Sequence, residues 1–254
     1  MRRLMLLGLL ALAGCAVTAD VPEQTDSYAD EKKAARINTQ LGVAYMQQGQ
    51  FDQAMARLQK AVRQDSSYAD AHSVLAVLYE RLGEGDKALD SYDRALSLAP
   101  NDSSILNNYG QFLCRRGKIQ EAERYLNKAA SNPLYRTPEL PLANAATCLY
   151  NAGQYDRAES YYLKALQANP NFAPALLRMA DLRHRSGSDE SAQLYYQRYL
   201  AQAPQTAESL WLGIQIARAL GDRDAVASYS LVLKRKFPDS EETRRLIELE
   251  RNER

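Results

Sequence analysis

Three cysteines and two histidines carry the most reactive side chains of this sequence: Cys15, Cys114, Cys148, His72 and His184. A thiol can be acylated, pair with a second thiol, ligate a metal or attack as a nucleophile. Metal ligation needs further ligands close by, and neither histidine has a second histidine or a cysteine at ligand spacing. His184 stands between Arg183 and Arg185, and His72 falls at a helix-packing position. A nucleophilic thiol needs a base, and no histidine is placed to activate Cys114 or Cys148. Gly-x-Ser-x-Gly, Walker and Gly-x-Gly-x-x-Gly sequences are missing, and the carboxylates lie on solvated helix faces. The chain therefore reads as a non-enzyme, with no catalytic residue, no metal site, no cofactor and no small-molecule substrate. Two uses of sulfur remain: a covalent lipid on Cys15, and a pairing of Cys114 with Cys148.

The residues before Cys15 suit the first use. Arg2 and Arg3 precede an almost unbroken apolar run from Leu4 to Ala13. Such a run fits the core of a signal peptide and falls far short of the ~20 residues that span a bilayer. It closes in Leu12-Ala13-Gly14-Cys15, which resembles the lipobox of bacterial lipoproteins. There the cysteine thiol takes a diacylglycerol and cleavage follows just before it. Residues 1–14 are thus expected to be a lipoprotein signal peptide and Cys15 the lipidated first residue of the mature chain. Two or three acyl chains anchor far better than one, at ~0.8 kcal/mol per buried CH₂. Ala16, not aspartate, follows the cysteine, which by resemblance to Gram-negative lipoprotein sorting favours the outer membrane, facing the periplasm. Residues 15–34 are polar and mixed in charge, and are expected to form a flexible tether.

Beyond residue 35 the sequence repeats itself. Leu41-Gly42 and Tyr45 return 34 residues later as Leu75-Ala76 and Tyr79, then as Tyr109-Gly110 and Leu113. Each set is followed by a glycine (Gly49, Gly83, Gly117) and an alanine (Ala54, Ala88, Ala122). Next come a large residue (Leu58, Tyr92, Leu126) and a second alanine (Ala61, Ala95, Ala129). After a two-residue slip near Thr137-Pro138 the pattern resumes with Ala145-Ala146, Gly153, Ala158, Tyr162 and Ala165. A fifth copy has Met179-Ala180, Gly187, Ala192 and Tyr196, and a degenerate sixth has Leu212-Gly213, Gly221 and Ala225. The pattern is similar to the tetratricopeptide repeat. It predicts an all-α fold, a right-handed solenoid of about six repeats near 35–68, 69–102, 103–136, 139–172, 173–206 and 207–240. The physics agrees: apolar residues at helical spacing mark amphipathic helices. Glycine suits the cap between the two helices of a repeat, and no repeat can bury its apolar face alone. Residues 241–254 mix both charges around Leu246, Ile247 and Leu249 and are expected to be a charged capping helix.

The repeat then places the remaining cysteines. Cys114 and Cys148 fall at the twelfth and tenth positions of repeats 3 and 4, both in the first helix (helix A) and level along its axis. Neighbouring helices ~8–10 Å apart can bring two Cα atoms within the ~5.5–6 Å of a disulfide, and an exported chain meets oxidising conditions. A Cys114–Cys148 disulfide is expected, the alternative being two buried free thiols. In repeats of this class helix A lines a concave groove, whose positions are the second, fifth, ninth, twelfth and thirteenth. Those positions give the partner-binding candidates Arg36, Thr39, Val43, Met46 and Gln47 in repeat 1. They give Ser73, Val77, Glu80 and Arg81 in repeat 2, and Asn107 and Gln111 in repeat 3. Val43, Met46 and Val77 together read as an apolar contact patch, unless the tether or an N-terminal helix covers it.

Charge excludes one class of partner. The 32 lysines and arginines face 31 acidic residues, and without Arg2 and Arg3 the balance is 30 against 31, so the footprint of a nucleic-acid binder is missing. Asn107-Asn108-Tyr109-Gly110-Gln111-Phe112-Leu113-Cys114, with Gly117 and Glu121-Ala122, resembles the type IV pilus biogenesis lipoproteins called PilF or PilW. Tyr135 and Pro138, Met179-Ala180-Asp181-Leu182, and the plan of lipobox, tether and six repeats resemble them too. The resemblance implies a pilotin: an outer-membrane lipoprotein that binds the type IV pilus secretin non-covalently and promotes its localisation and multimerisation. The alternative is a lipoprotein scaffold for periplasmic peptidoglycan hydrolases or proteases.

Overall fold

The computed structural model describes residues 24–252, so the signal peptide, Cys15 and the first part of the expected tether lie outside the described residues. Thirteen helices and no strand occur among the described residues. They are α1 (Gln24–Gln47), α2 (Phe51–Gln64), α3 (Ala69–Arg81), α4 (Gly85–Leu98), α5 (Ser103–Arg115), α6 (Ile119–Ala130), α7 (Glu139–Asn151), α8 (Tyr155–Ala168), α9 (Ala173–Arg185), α10 (Asp189–Leu200), α11 (Ala207–Ala219), α12 (Arg223–Lys236) and α13 (Glu241–Asn252). Odd-numbered helices from α1 to α11 are helix A of their repeats, and each pairs with the even-numbered helix B that follows. Successive A helices also touch, α1 with α3, α3 with α5, α5 with α7, and α9 with α11. This is an all-α tetratricopeptide solenoid.

The recurring residues hold it together. Ala54, Leu58 and Ala61 of α2, Ala88, Tyr92 and Ala95 of α4, and Ala122, Leu126 and Ala129 of α6 are all buried. So are Ala158, Tyr162 and Ala165 of α8, and Ala192, Tyr196 and Tyr199 of α10. Alternating small and large side chains let helices A and B approach until a Cβ would no longer fit. At Gly110 an added Cβ would sit 2.6 Å from Leu126 Cγ. Each A–B turn contains one glycine at positive φ, between 71° and 76°, from Gly49 to Gly221. That left-handed backbone caps helix A, and a side chain there would be strained.

Two features depart from the sequence reading. Residues 24–34, expected to be tether, form the first turns of α1. Residues 29–33 show no apolar period because all five are exposed. The slip near Thr137 appears as a long turn. The connections 65–68, 99–102 and 169–172 take four residues, whereas 131–138 takes eight: α6 has 12 residues where α2, α4 and α8 have 14, and the start of α7 follows that of α5 by 36 residues where α5 follows α3 by 34. At the far end α13 buries Leu246 against Leu210, Ile214 and Leu233, while Ile247 stays exposed.

Candidate functional site

The groove candidates fall into two sets. Arg36, Gln47 and Arg81 are exposed, and Val43, Val77, Glu80 and Gln111 are half-buried. Thr39, Met46, Ser73 and Asn107 are buried, at 3–8% exposure, so they do not present themselves to a partner. The reason is the spacing of A helices. The fifth position of one helix A meets the sixth position of the next: Asn144 donates to Asn107 Oδ1 at 2.8 Å, and Asn108 to Ser73 Oγ at 3.4 Å. Thr39 donates to its own helix at Ala35 O, 2.9 Å away. Met46 packs with Ala54, Leu58, Leu75 and Leu78, which corrects the expected Val43–Met46–Val77 patch to a smaller surface of two half-buried valines.

Two recesses along the A helices combine charged and aromatic side chains. The first lies between repeats 2 and 3, on α3, α4 and α5. Glu80 is fixed there from two sides: Tyr92 donates its hydroxyl to Oε1 at 2.7 Å, and Arg115 donates Nε to Oε2 at 2.9 Å. Burial, then the Glu80 charge, push the Tyr92 phenol far above its ordinary value, so it stays a donor. Arg81 donates Nη1 to Met46 O at 3.2 Å, and the Arg116 guanidinium lies 5.7 Å over the Phe112 ring.

The second recess lies on α7, α9, α11 and α13. Tyr150 donates to Asp181, which also accepts from Arg185 Nε at 2.9 Å. Arg178 and Arg185 lie 5.7 and 5.4 Å over the Tyr150 ring, a cation–π arrangement. Burial and Asp181 raise the Tyr150 phenol above its usual range. Arg178 pairs with Glu208 at 2.8 Å, and Trp211 and Gln215 complete the wall. The groove numbering gives Leu140, Ala143, Thr147, Tyr150 and Asn151 in repeat 4. The same numbering carried on to repeats 5 and 6 places Asp181, Arg185, Trp211 and Gln215 in the groove.

Between the recesses Cys114 and Cys148 form a disulfide, with Cα atoms 5.7 Å apart, tying α5 to α7 across the long 131–138 turn. His72 is buried and donates Nε2 to Ser66 O at 3.1 Å, while His184 pairs with Asp189. Among the described residues no three histidines, cysteines or carboxylates are grouped to hold a metal. The surface offers guanidinium, amide and aromatic binding groups.

Family profiles described as tetratricopeptide repeat match residues 39–103, 91–124 and 144–212. The chain is 36% identical over 238 residues to "Type IV pilus assembly protein PilF" of Pseudomonas aeruginosa, covering 93% of this chain and 94% of that protein. It is similar to the solved structure of Pseudomonas aeruginosa PilF, with a TM-score of 0.75 at 34% identity over 85% of this chain and 98% of that one. The crystal structure of PilW, described as a widely conserved type IV pilus biogenesis factor, gives a TM-score of 0.75 at 35% identity, over 84% and 98%. With a relative this similar along almost the whole of both chains, the protein belongs to the PilF/PilW family of tetratricopeptide-repeat proteins of type IV pilus biogenesis.

Proposed function

We propose that this protein is a non-enzymatic pilotin: a lipoprotein held at the outer membrane through Cys15 that captures subunits of the type IV pilus secretin in its groove. Capture there would raise their local concentration and promote their multimerisation. The observation that carries the reading is the family match over 93% of the chain and 94% of the relative. The two recesses support it, since they offer guanidinium, amide and aromatic groups on rigid helices and suit protein recognition. The Leu12-Ala13-Gly14-Cys15 sequence supports the address. One weak site per lipoprotein suffices if both partners share a surface, because confinement acts as effective concentration.

The test scores heat-resistant secretin multimers on gels after membrane fractionation, in cells with and without the gene. Loss of multimers, or their retention as monomers at the inner membrane, is the expected outcome. A Cys15→Ser variant should mislocalise them likewise. Unchanged assembly and location would remove the pilotin reading.

A further inference from the structure

We infer that the recess between repeats 2 and 3 docks an extended acidic segment of a partner protein, with Arg81 and Arg116 receiving its side-chain carboxylates. This rests on the reading of the groove as a capture surface and adds the chemistry of what is captured.

Charge sets this recess apart. Three exposed guanidinium groups line the recess against one carboxylate, Glu80. That carboxylate is already committed, through Oε1 to Tyr92 and through Oε2 to Arg115. Arg81 meets only a neutral acceptor, the carbonyl oxygen of Met46, and Arg116 only the face of Phe112. Neither has a carboxylate partner among the described residues. Gly85 leaves the Arg116 guanidinium its place, because a Cβ there would meet Nη1. Two positive charges at the mouth are therefore uncompensated. In the second recess the balance is different: Arg178 pairs with Glu208, Arg185 with Asp181 and Arg245 with Glu241.

The rest of the recess suits an extended chain. Its volume is about 580 Å³, within the range of built binding pockets and enough for a few side chains. Val77 and Phe112 give an apolar wall for an alternate side chain. Gln111 is half-buried and its amide has no hydrogen-bond partner among the described residues, so it can both donate to and accept from a peptide backbone. Guanidinium forks match carboxylates in two-point geometry, and on rigid helices they lose little freedom on binding.

The test is fluorescence anisotropy with the full-length protein in detergent. The probe is a labelled peptide alternating Asp and Glu with Leu, capped at both ends, and its control is the Asn/Gln isostere. The acidic peptide should bind about tenfold or more tightly than the isostere, a difference of ~1.4 kcal/mol or more, and lose that advantage in high salt. An Arg81→Gln/Arg116→Gln double variant, at exposed positions, should abolish the preference, whereas Arg245→Gln should keep it. Equal binding of the two peptides, or an unaffected double variant, overturns the inference. Secretin multimers scored in the same double variant separate the two readings. If the peptide preference is lost and multimers persist, the acidic site stands and secretin is not its occupant. If multimers need the gene while peptide binding ignores the arginines, the pilotin reading stands and this inference falls.

Discussion

Tyr92 serves the core and the groove with one side chain. Its ring is fully buried, with Tyr109 and Phe112 centroids at 5.4 and 5.2 Å, and its hydroxyl reaches through to Glu80. A Tyr92→Phe change keeps the ring and removes one hydrogen bond to a charged acceptor, a loss of about 1–2 kcal/mol. The expected outcome is a lower urea midpoint with the same helical content. Glu80 remains held by Arg115, so the peptide preference of the recess should not move. The repeat pattern made Tyr92 legible as a large core residue. It did not reveal the hydroxyl's target, because that depends on which side chain of helix A stands opposite. The same blindness explains Thr39, Ser73 and Asn107. Position numbers place a residue on the inner side of helix A, but the distance to the next helix A decides whether it meets solvent or a neighbour.

At the scale of elements, the turn from helix B to the next helix A is held by a device that the repeat signature does not contain. Arg94, Lys128 and Arg198 of α4, α6 and α10 donate to backbone carbonyls of Ser66, Pro100 and Pro170, at 3.3, 2.8 and 2.7 Å. Each carbonyl lies two residues beyond the end of the preceding helix B, where unsatisfied oxygens and the helix dipole favour a cation. Lys164 of α8 occupies the equivalent place after the long 131–138 turn and lies instead 4.8 Å over the Tyr161 ring. Lys128→Ala and Arg198→Ala should therefore each cost about 0.5–1 kcal/mol, and Lys164→Ala clearly less, by denaturant midpoints compared in one buffer. Equal losses at all three would assign the effect to lost helix surface and not to the carbonyl. Helix existence was legible from period and glycine spacing. The start of α1 was not, since the exposed residues 29–33 leave no apolar period to read, and the polar residues of 24–34 suit helix and tether alike. The Cys114–Cys148 pairing was legible because the repeat converts a 34-residue separation into neighbouring turns of adjacent helices.

In the whole molecule, stability is a chain of neighbouring interfaces, with no single centre to lose. Buried tyrosines recur along that chain: Tyr92 in repeat 2, Tyr162 in repeat 4 and Tyr196 in repeat 5, each at 2% exposure or less. Burial is the leading cause that raises all three phenols above their ordinary value of about 10, joined by Glu80 at Tyr92 and by neighbouring tyrosines at Tyr196. The sign follows from which state holds the protons. Below pH ~10 both states are protonated and pH has no purchase on these groups. Above it the unfolded chain releases its phenolic protons while the folded chain keeps them, so rising pH favours unfolding. Each buried tyrosine contributes a slope of about −1.4 kcal/mol per pH unit, or roughly −4 for the three. Urea midpoints should thus stay flat from neutral pH to about 9.5 and fall steeply above ~10. Tyrosinate absorbance of these groups should rise together with the loss of helical circular dichroism. Because the three tyrosines belong to different repeats, the collapse should run along the solenoid and not begin by fraying one end. Full ionisation with the helical signal intact would mean that these hydroxyls reach water in the folded protein, and that the tight B-helix packing assigned to them is looser than the fold describes.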